Sequence, residues 1–335
     1  MTRFLERGHR KDTAAACLKA DEAMSNNQQY ISHIYAGNPL DRGERERRDE
    51  KWLAEKAKDP GSKFLPIWDL KVPISNGSDY GLGWLGLDEL GRLRIEASAI
   101  FLGLREQEAH FAIDITKSGP SVQNLQESQD WTFEDARKVT EYLSGSDSGI
   151  VAQARAQISW HSRNGFCAIC GHETFVKRGG QVRQCSKCDT EHYPRTDPVV
   201  ITVVTHEDRC LLGQSHGRLS RENRYSALAG FMDQGESIEE AVAREVMEEA
   251  GIRIGNIRYH SSQPWPFPSS LMIGCHADAV TADIAMDEEE MADVRWFQRD
   301  EVLLALEGNS KNLTIPGPIA IAHHLIKAWA TGGGP

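Results

Sequence analysis

Glu245, Glu248 and Glu249 close a pattern whose other fixed members are Gly230, Glu236, Arg244 and Gly251, reading G-x5-E-x7-R-E-V-x-E-E-x-G-I. At ordinary residue usage these positions coincide by accident about once in a million chains of this length. Ser237 followed by Glu240 is a capping-box signature, and Gly251 supplies a left-handed stop, so a helix is predicted between them. At 100° per residue the three glutamates share an arc of about 100°, while Val242, Val246 and Ala250 fill the adjoining arc and can pack on a sheet. Carboxylates this close repel and raise one another's pKa unless cations neutralise them, and oxygen ligands with room for water suit Mg²⁺ or Mn²⁺. Arg244 can hold one glutamate bidentately. An isolated E-x-x-E-E run reads best as a solvated helix face. With Gly230, Glu236, Arg244 and Gly251 in register it reads as a catalytic metal site, and Glu248 or Glu249 is the expected general base.

A second cluster is Cys167-x2-Cys170-x14-Cys185-x2-Cys188. Paired knuckles of this spacing form a four-thiolate Zn²⁺ site, a zinc ribbon over 161–197. His172 and His192 flank it and are read as bystanders. Cys17, Cys210 and Cys275 stand apart, and an odd cysteine count without a secretory leader argues for thiols and metal rather than disulfides. A third candidate is Gln263-Pro264-Trp265-Pro266-Phe267-Pro268-Ser269-Ser270. Its alternating prolines predict a stiff extended loop that cannot sit at a sheet centre. Such a loop can display Trp265 and Phe267 for stacking, with Gln263 and the serines free for ribose or phosphate, but on the residues alone packing against its own domain or a partner copy is the favoured reading.

The elements that must position these residues follow from periodicity. Residues 1–160 read as an α+β domain, with strands at Phe64–Trp68, Lys71–Ile74, Leu93–Ala97, Ile100–Leu104 and His110–Ile115, then a helical pattern from Thr132 to Trp160 broken at Ser144–Gly149. The charged run Asp41–Lys51 reads as a solvated face. Residues 198–331 alternate strands (Val199–Val204, Arg209–Gly213, Ile257–Tyr259, Leu271–His276, Val294–Phe297) with the acidic helix and a terminal helix at Ile319–Ala330, which suggests an α/β sandwich. The glycine-rich tail Gly332–Pro335 reads as disordered. A net charge of −11 speaks against a general nucleic-acid binder but not against an anionic small molecule held through a metal. No run approaches the roughly 18 apolar residues of a membrane span, and the first residues lack an apolar leader, so a cytoplasmic protein is expected.

The pattern around the acidic helix resembles the Nudix box, and the proline-aromatic array downstream resembles the SQPWPFPxS array of the NADH pyrophosphatase branch. That branch also carries a four-Cys ribbon followed by a Tyr-Pro linker, here Tyr193-Pro194. Looser similarity through Phe101–Leu104 and Ala112–Asp114 extends the resemblance over most of the chain. It implies an α/β/α Nudix sandwich at the C-terminus and hydrolysis of NADH or NAD⁺ to nicotinamide mononucleotide and AMP. NAD-capped RNA is a longer substrate for the same chemistry; other Nudix specificities (ADP-ribose, diadenosine polyphosphates) and a zinc-ribbon interaction module are the rivals. Carried over, Glu245, Glu248, Glu249, the Ala229 carbonyl and Glu290 resemble Mg²⁺/Mn²⁺ ligands. Tyr193, Phe231, the 263–270 array, Ala322 and Arg137 resemble substrate contacts. From the residues themselves Phe231 reads as well as a core strand residue, and Tyr193 as a buried linker anchor. Gly180 departs from an acidic contact of some relatives, and a homodimer is implied by the resemblance alone.

Overall fold

In a computed structural model the described residues are 33–76, 81–93, 98–118, 120–140 and 142–332. Cys17, the rest of the N-terminal segment, residues 94–97 and 333–335 lie outside them. The described chain begins with helix α1 (Glu50–Lys56), strands β1 (Lys63–Ile67) and β2 (Val72–Ser75), helix α2 (Leu87–Leu93), and strands β3 (Ala99–Arg105) and β4 (Glu108–Asp114). Helix α3 (Pro120–Gln129), β5 (Trp131–Glu134), α4 (Ala136–Val139) and the long α5 (Gly145–Arg163) follow. Strands β1, β4 and β3 form one sheet with β1 parallel to β4, and β2 pairs with β5. Pro66 and Pro73 are tolerated because β1 is an edge and β2 belongs to a two-stranded ribbon. Helix α5 buries Ile150, Val151, Ala154 and Ile158 against Leu65, Ile100 and Leu102 of this sheet.

Three expectations change here. Thr132 belongs to a strand, not a helix, and the Gly/Ser run starts α5 rather than breaking it, because Ser144 caps the backbone of Asp147. Leu93 ends α2 instead of opening a strand. The charged run Asp41–Lys51 is not wholly solvated. Arg47 is fully buried, donating to the carbonyls of Arg42, Leu102 and Gly179 with its guanidinium over Phe101.

The ribbon comprises β6 (Thr174–Lys177), β7 (Val182–Cys185) and β8 (Glu191–His192). It docks on the preceding sheet through Gly180, where a Cβ would come within 2.6 Å of Ile100, and through His161 on the Gly180 carbonyl. Gly180 is therefore a packing residue.

Beyond it lie β9 (Asp197–His206), β10 (Arg209–Ser215), α6 (Arg218–Arg221), β11 (Leu228–Phe231), α7 (Ile238–Ala250), β12 (Ile254–Trp265), β13 (Ser270–Ala279), β14 (Met291–Gln298), α8 (Arg299–Leu306) and α9 (Ile321–Ala330). The sheet order is β12-β13-β9-β10-β14, with β13 parallel to β9 and β11 pairing the N-terminal half of β9. The run Val199–Val204, apolar except for Thr202, is buried on both faces, as a central strand should be. Val200 meets Ala241 and Val242 of α7, while Ile201 and Val203 meet Ile321, Ala322 and Leu325 of α9. Helices thus cover both sides of one sheet. No helix among the described residues is long and apolar enough to cross a membrane.

Candidate active site

The acidic helix forms as its sequence dictates. Ser237 and Glu240 make a reciprocal capping box, and Gly251 ends α7 at φ 68°. Ala241, Val242, Val246 and Ala250 anchor it to the sheet, which turns Glu245, Glu248 and Glu249 toward β11 and the segment before β14.

Arg244 organises these groups. Its Nε and one terminal nitrogen grip Glu236 at 2.6 and 2.8 Å, and that second nitrogen also reaches the Phe231 carbonyl at 2.9 Å. The other terminal nitrogen bonds Glu245 and Glu248, both at 2.8 Å. The fork on Glu236 pulls that carboxyl down to about 2, and the same contacts raise the Arg244 pKa. Arg244 is therefore the rivet that ties the strand end, the loop and the helix together. The carboxylate it holds bidentately is Glu236, outside the proposed ligand set.

Glu249 is the anomalous member. It is 8% exposed and its Oε2 has no partner. Burial first, then the neighbouring Glu245 charge, pushes its carboxyl up to about 8. Burial likewise raises Glu245, opposed by Arg244. The Glu290 charge adds to the upward push on both. Gly230, opposite Val200 in β11, leaves the space in which Glu245 sits, since a Cβ there would fall 2.0 Å from the Glu245 carboxyl. An orphaned buried carboxylate oxygen, anionic neighbours and a side-chain-free strand floor fit a hard divalent cation held by oxygen ligands. Among the described residues only the four cysteines have three or more donor atoms within 4.8 Å of one another, and Arg244 stands between the carboxylates of Glu245 and Glu248.

The cysteine cluster is already shaped. Sγ–Sγ distances of 3.4 Å (Cys170–Cys185 and Cys170–Cys188) and 3.7 Å (Cys167–Cys188) approach the roughly 3.8 Å that four thiolates ~2.3 Å from a tetrahedral centre would show. Backbone N–H groups of Ile169 and Lys187 point at Cys167 and Cys185. His192 is not a bystander: its Nε2 lies 3.3 Å from the Cys167 sulfur, placed there by β8 as an outer contact of the site. The cluster fits zinc.

The proline-aromatic array is not one loop. Gln263, Pro264 and Trp265 end β12, residues 266–269 turn, and Ser270 begins β13. The prolines fit because β12 is the sheet edge. Gln263 is 0% exposed and spent on structure, donating to the carbonyls of Ile34 and Ile319 and accepting from Ile321 N. Phe267 is not displayed either; the Arg137 guanidinium lies 3.7 Å and that of Arg155 4.8 Å from its ring centroid. Trp265 packs edge-on to Tyr35 and Phe267 and separates two cavities. A pocket of about 410 Å³ takes in Arg137, Gln263, Trp265 and Ala322. A cleft of about 830 Å³ takes in Tyr193, Pro264, Trp265, Pro266, Ser269 and Ser270. Pro268 is exposed and lines neither. Phe231 is 61% exposed and Tyr193 58%, so neither is a core residue or a buried anchor.

Three family models match in succession: an NADH pyrophosphatase-like rudimentary NUDIX domain over 61–160, an NADH pyrophosphatase zinc ribbon over 162–193 and a NUDIX domain over 195–315. The NAD-capped RNA hydrolase NUDT12 of Homo sapiens is 33% identical over 348 residues, spanning 91% of this chain and 75% of that protein. The chain belongs to the zinc-ribbon NADH pyrophosphatase branch of the Nudix family. An NAD-capped RNA hydrolase of Schizosaccharomyces pombe is 33% identical over 89% of this chain and 93% of its own. The NAD(P)H pyrophosphatase NUDT13 of Mus musculus is 38% identical over 74% of each. As a Nudix protein the chain carries its box on β11 and α7, and its ribbon cysteines constitute the zinc site.

Sequence reasoning missed Arg155 and Tyr35. Arg155 Nε donates to the Pro266 carbonyl at 2.9 Å and NH1 to that of Leu70 at 2.7 Å, fixing the hairpin turn from α5. Neither residue lies in a short motif, and only the tertiary contact reveals them.

Proposed function

We propose that this protein hydrolyses the pyrophosphate of NADH or NAD⁺, free or as the 5′ cap of an RNA, to nicotinamide mononucleotide and an AMP end. The observation that carries this is the Glu236–Arg244–Glu245–Glu249 assembly under Gly230, in a chain whose relatives are named for NAD-linked pyrophosphates. Glu245, Glu249, Glu248, the Ala229 carbonyl and Glu290 would hold Mg²⁺ or Mn²⁺, which when bound activates water and neutralises charge on the phosphates. Glu249 and Glu245 supply buried negative charge, and Arg244 fixes the rotamer of Glu245 so that its oxygens stay put. Glu248, half exposed at 51% of its side chain, is the carboxylate open to solvent and is assigned as the acceptor of the water proton. The pocket between Trp265, Arg137 and Ala322 takes one mononucleotide half, and the exposed Phe231 ring stacks on a base.

Residues 1–160, 161–197 and 198–331 are assigned as the N-terminal domain, ribbon with linker and catalytic domain, and a homodimer is the assigned assembly. The test is direct. Purified protein with NADH and Mg²⁺ or Mn²⁺ yields AMP and reduced nicotinamide mononucleotide by chromatography, and kcat/KM exceeds that for ADP-ribose and diadenosine polyphosphates. Absence of AMP with either ion, or full activity in Glu249→Gln, refutes the assignment.

A further inference from the structure

The turn that carries Glu290 is held by a residue outside every motif. Glu288, Glu289 and Glu290 precede β14, and three successive like charges push apart unless their backbone is fixed. The turn closes locally, with Met291 N donating to the Asp287 carbonyl at 2.9 Å and Glu289 N to the Asp287 carboxylate at 2.8 Å. Met291 is then buried in one core with Val246 and Ala250 of α7, the chain neighbours of Glu245 and Glu249. It enters that core over Gly213 of β10, where an added Cβ would fall 2.3 Å from the Met291 methyl.

His216 closes the outer side. Strand β10 pairs with β14 residue for residue from Arg209 to Gln214, and there the register shifts, so that Ser215 faces Met291 and Ala292 is left over. A bulge of this kind bends a strand and re-aims the side chains beside it. His216 continues the ladder past the shift. Its amide donates to the Glu290 carbonyl at 3.3 Å, and its ring Nε2 donates to the Glu288 carbonyl at 3.0 Å. The chain then turns away at Gly217, whose φ of 92° glycine adopts freely. His216 is exposed, and a surface ring bonded to a carbonyl adds little to folding stability. What its two bonds do fix is the height of the Glu290 backbone against α7.

Resting on the function assigned above, we propose that His216 is a positioning residue for the metal site: by bonding the carbonyls of Glu288 and Glu290 it fixes the backbone from which the Glu290 carboxylate reaches the ion held by Glu245 and Glu249. An imidazole here could serve two other roles, and each leaves a different trace. A proton-transfer group needs the basicity of the ring, and a substrate contact acts through KM. A clasp needs only an N–H donor at the place of Nε2.

The test uses the full chain as wild type, His216→Ala, His216→Gln, Glu290→Gln and the His216→Ala/Glu290→Gln double variant. Mn²⁺ is titrated without substrate by electron paramagnetic resonance of the free ion, and kcat and KM on NADH are measured at the Mn²⁺ concentration that half-saturates wild type. Partners behind metal ligands govern about 10–100-fold in affinity or activity. For His216→Ala, Mn²⁺ affinity should fall about tenfold, which takes occupancy from one half to about one eleventh and kcat down about fivefold, with KM within about twofold. His216→Gln, which keeps a donor, should recover most of the loss. On the Glu290→Gln background the same His216→Ala change should add less than about twofold, because the group it positions is gone. The inference is overturned if Mn²⁺ affinity is unchanged in His216→Ala or in Glu290→Gln, if the two losses multiply in the double variant, if His216→Ala acts on KM alone, or if His216→Gln is as impaired as His216→Ala. Wild-type protein that binds Mn²⁺ but cleaves no NADH refutes the function instead, and the Mn²⁺ titrations then decide the role of His216 by themselves.

Discussion

Gly230→Ala separates stability from chemistry. The added Cβ would lie 2.0 Å from the Glu245 carboxyl carbon, whereas ordinary contact starts at 3.4 Å, so something must move by 3.4 − 2.0 = 1.4 Å. Strand β11 cannot retreat, because Leu228–Phe231 is paired residue by residue with Thr202–Val199 of β9. The flexible Glu245 end therefore swings away and gives up its 2.8 Å bond to Arg244. Losing one charge-assisted bond on a half-buried site costs about 1–2 kcal/mol of stability. The functional cost is larger. Metal–ligand distances tolerate only about ±0.2 Å, and a misplacement of about 1 Å costs on the order of 10²-fold in rate. The expected result is a folded protein with a near-native circular dichroism spectrum, a Tm lower by only a few degrees, and kcat/KM on NADH down at least about 100-fold. Half-saturation by Mn²⁺, read by electron paramagnetic resonance of the free ion, weakens in parallel. Activity within about threefold of wild type at unchanged Mn²⁺ affinity would show that Glu245 is not a ligand and that the empty strand floor serves packing alone.

Arg244→Lys keeps the charge but cannot span Glu236, Glu245, Glu248 and the Phe231 carbonyl, so kcat/KM should fall by about 100-fold with helix content unchanged by circular dichroism. Removing zinc, by chelator or by Cys185→Ser, should release one equivalent per chain in a colorimetric assay and lower Tm; retention of Tm would mean that the ribbon folds without metal. Arg155→Ala frees the turn at Pro266 and leaves Phe267 with one guanidinium, so KM for NADH should rise roughly tenfold while kcat changes less. For pH dependence, burial lowers His33, His161 and His260 to about 4, so the unfolded chain, with histidines near 6.5, takes up protons first. Their contribution to stability is complete above pH 6.5 and is lost as pH falls toward 4. Glu249, held at about 8, works in the opposite sense as a single group. The urea midpoint should therefore drop between pH 6.5 and 4.5, and a flat profile would contradict the burial of these rings.

The parts legible in the sequence share one property: their partners are close in the chain. The capping box spans four residues, the Gly251 stop and the apolar face of α7 lie within one helix, and each C-x-x-C knuckle closes on its own amides. The buried run Val199–Val204 announced a central strand because both of its faces are covered. The expectations that changed depend on contacts across long separations. Gln263 looks like a ligand-facing amide until Ile34 and Ile319 take its hydrogens, and Arg47 looks solvated until Gly179 and Leu102 arrive. Strand β11 was too short to show a period, although it carries the glycine on which the site rests.

The same distinction bears on the N-terminal half. Its local pattern shows no catalytic chemistry, yet Tyr35, Arg137 and Arg155 reach the hairpin turn across more than 100 residues of chain and set the position of Trp265 and Phe267. Arg137 covers Phe267 and lines the smaller pocket, so one side chain braces the turn and presents positive charge to whatever enters. Aromatic rings held at their backs by guanidinium groups lose little freedom on binding, which lowers the ordering cost of substrate capture. On this argument the rudimentary domain acts as a positioning scaffold for the pocket wall. Its removal should appear in KM before it appears in the acidic site, whose bonds run within Ala229–Glu249.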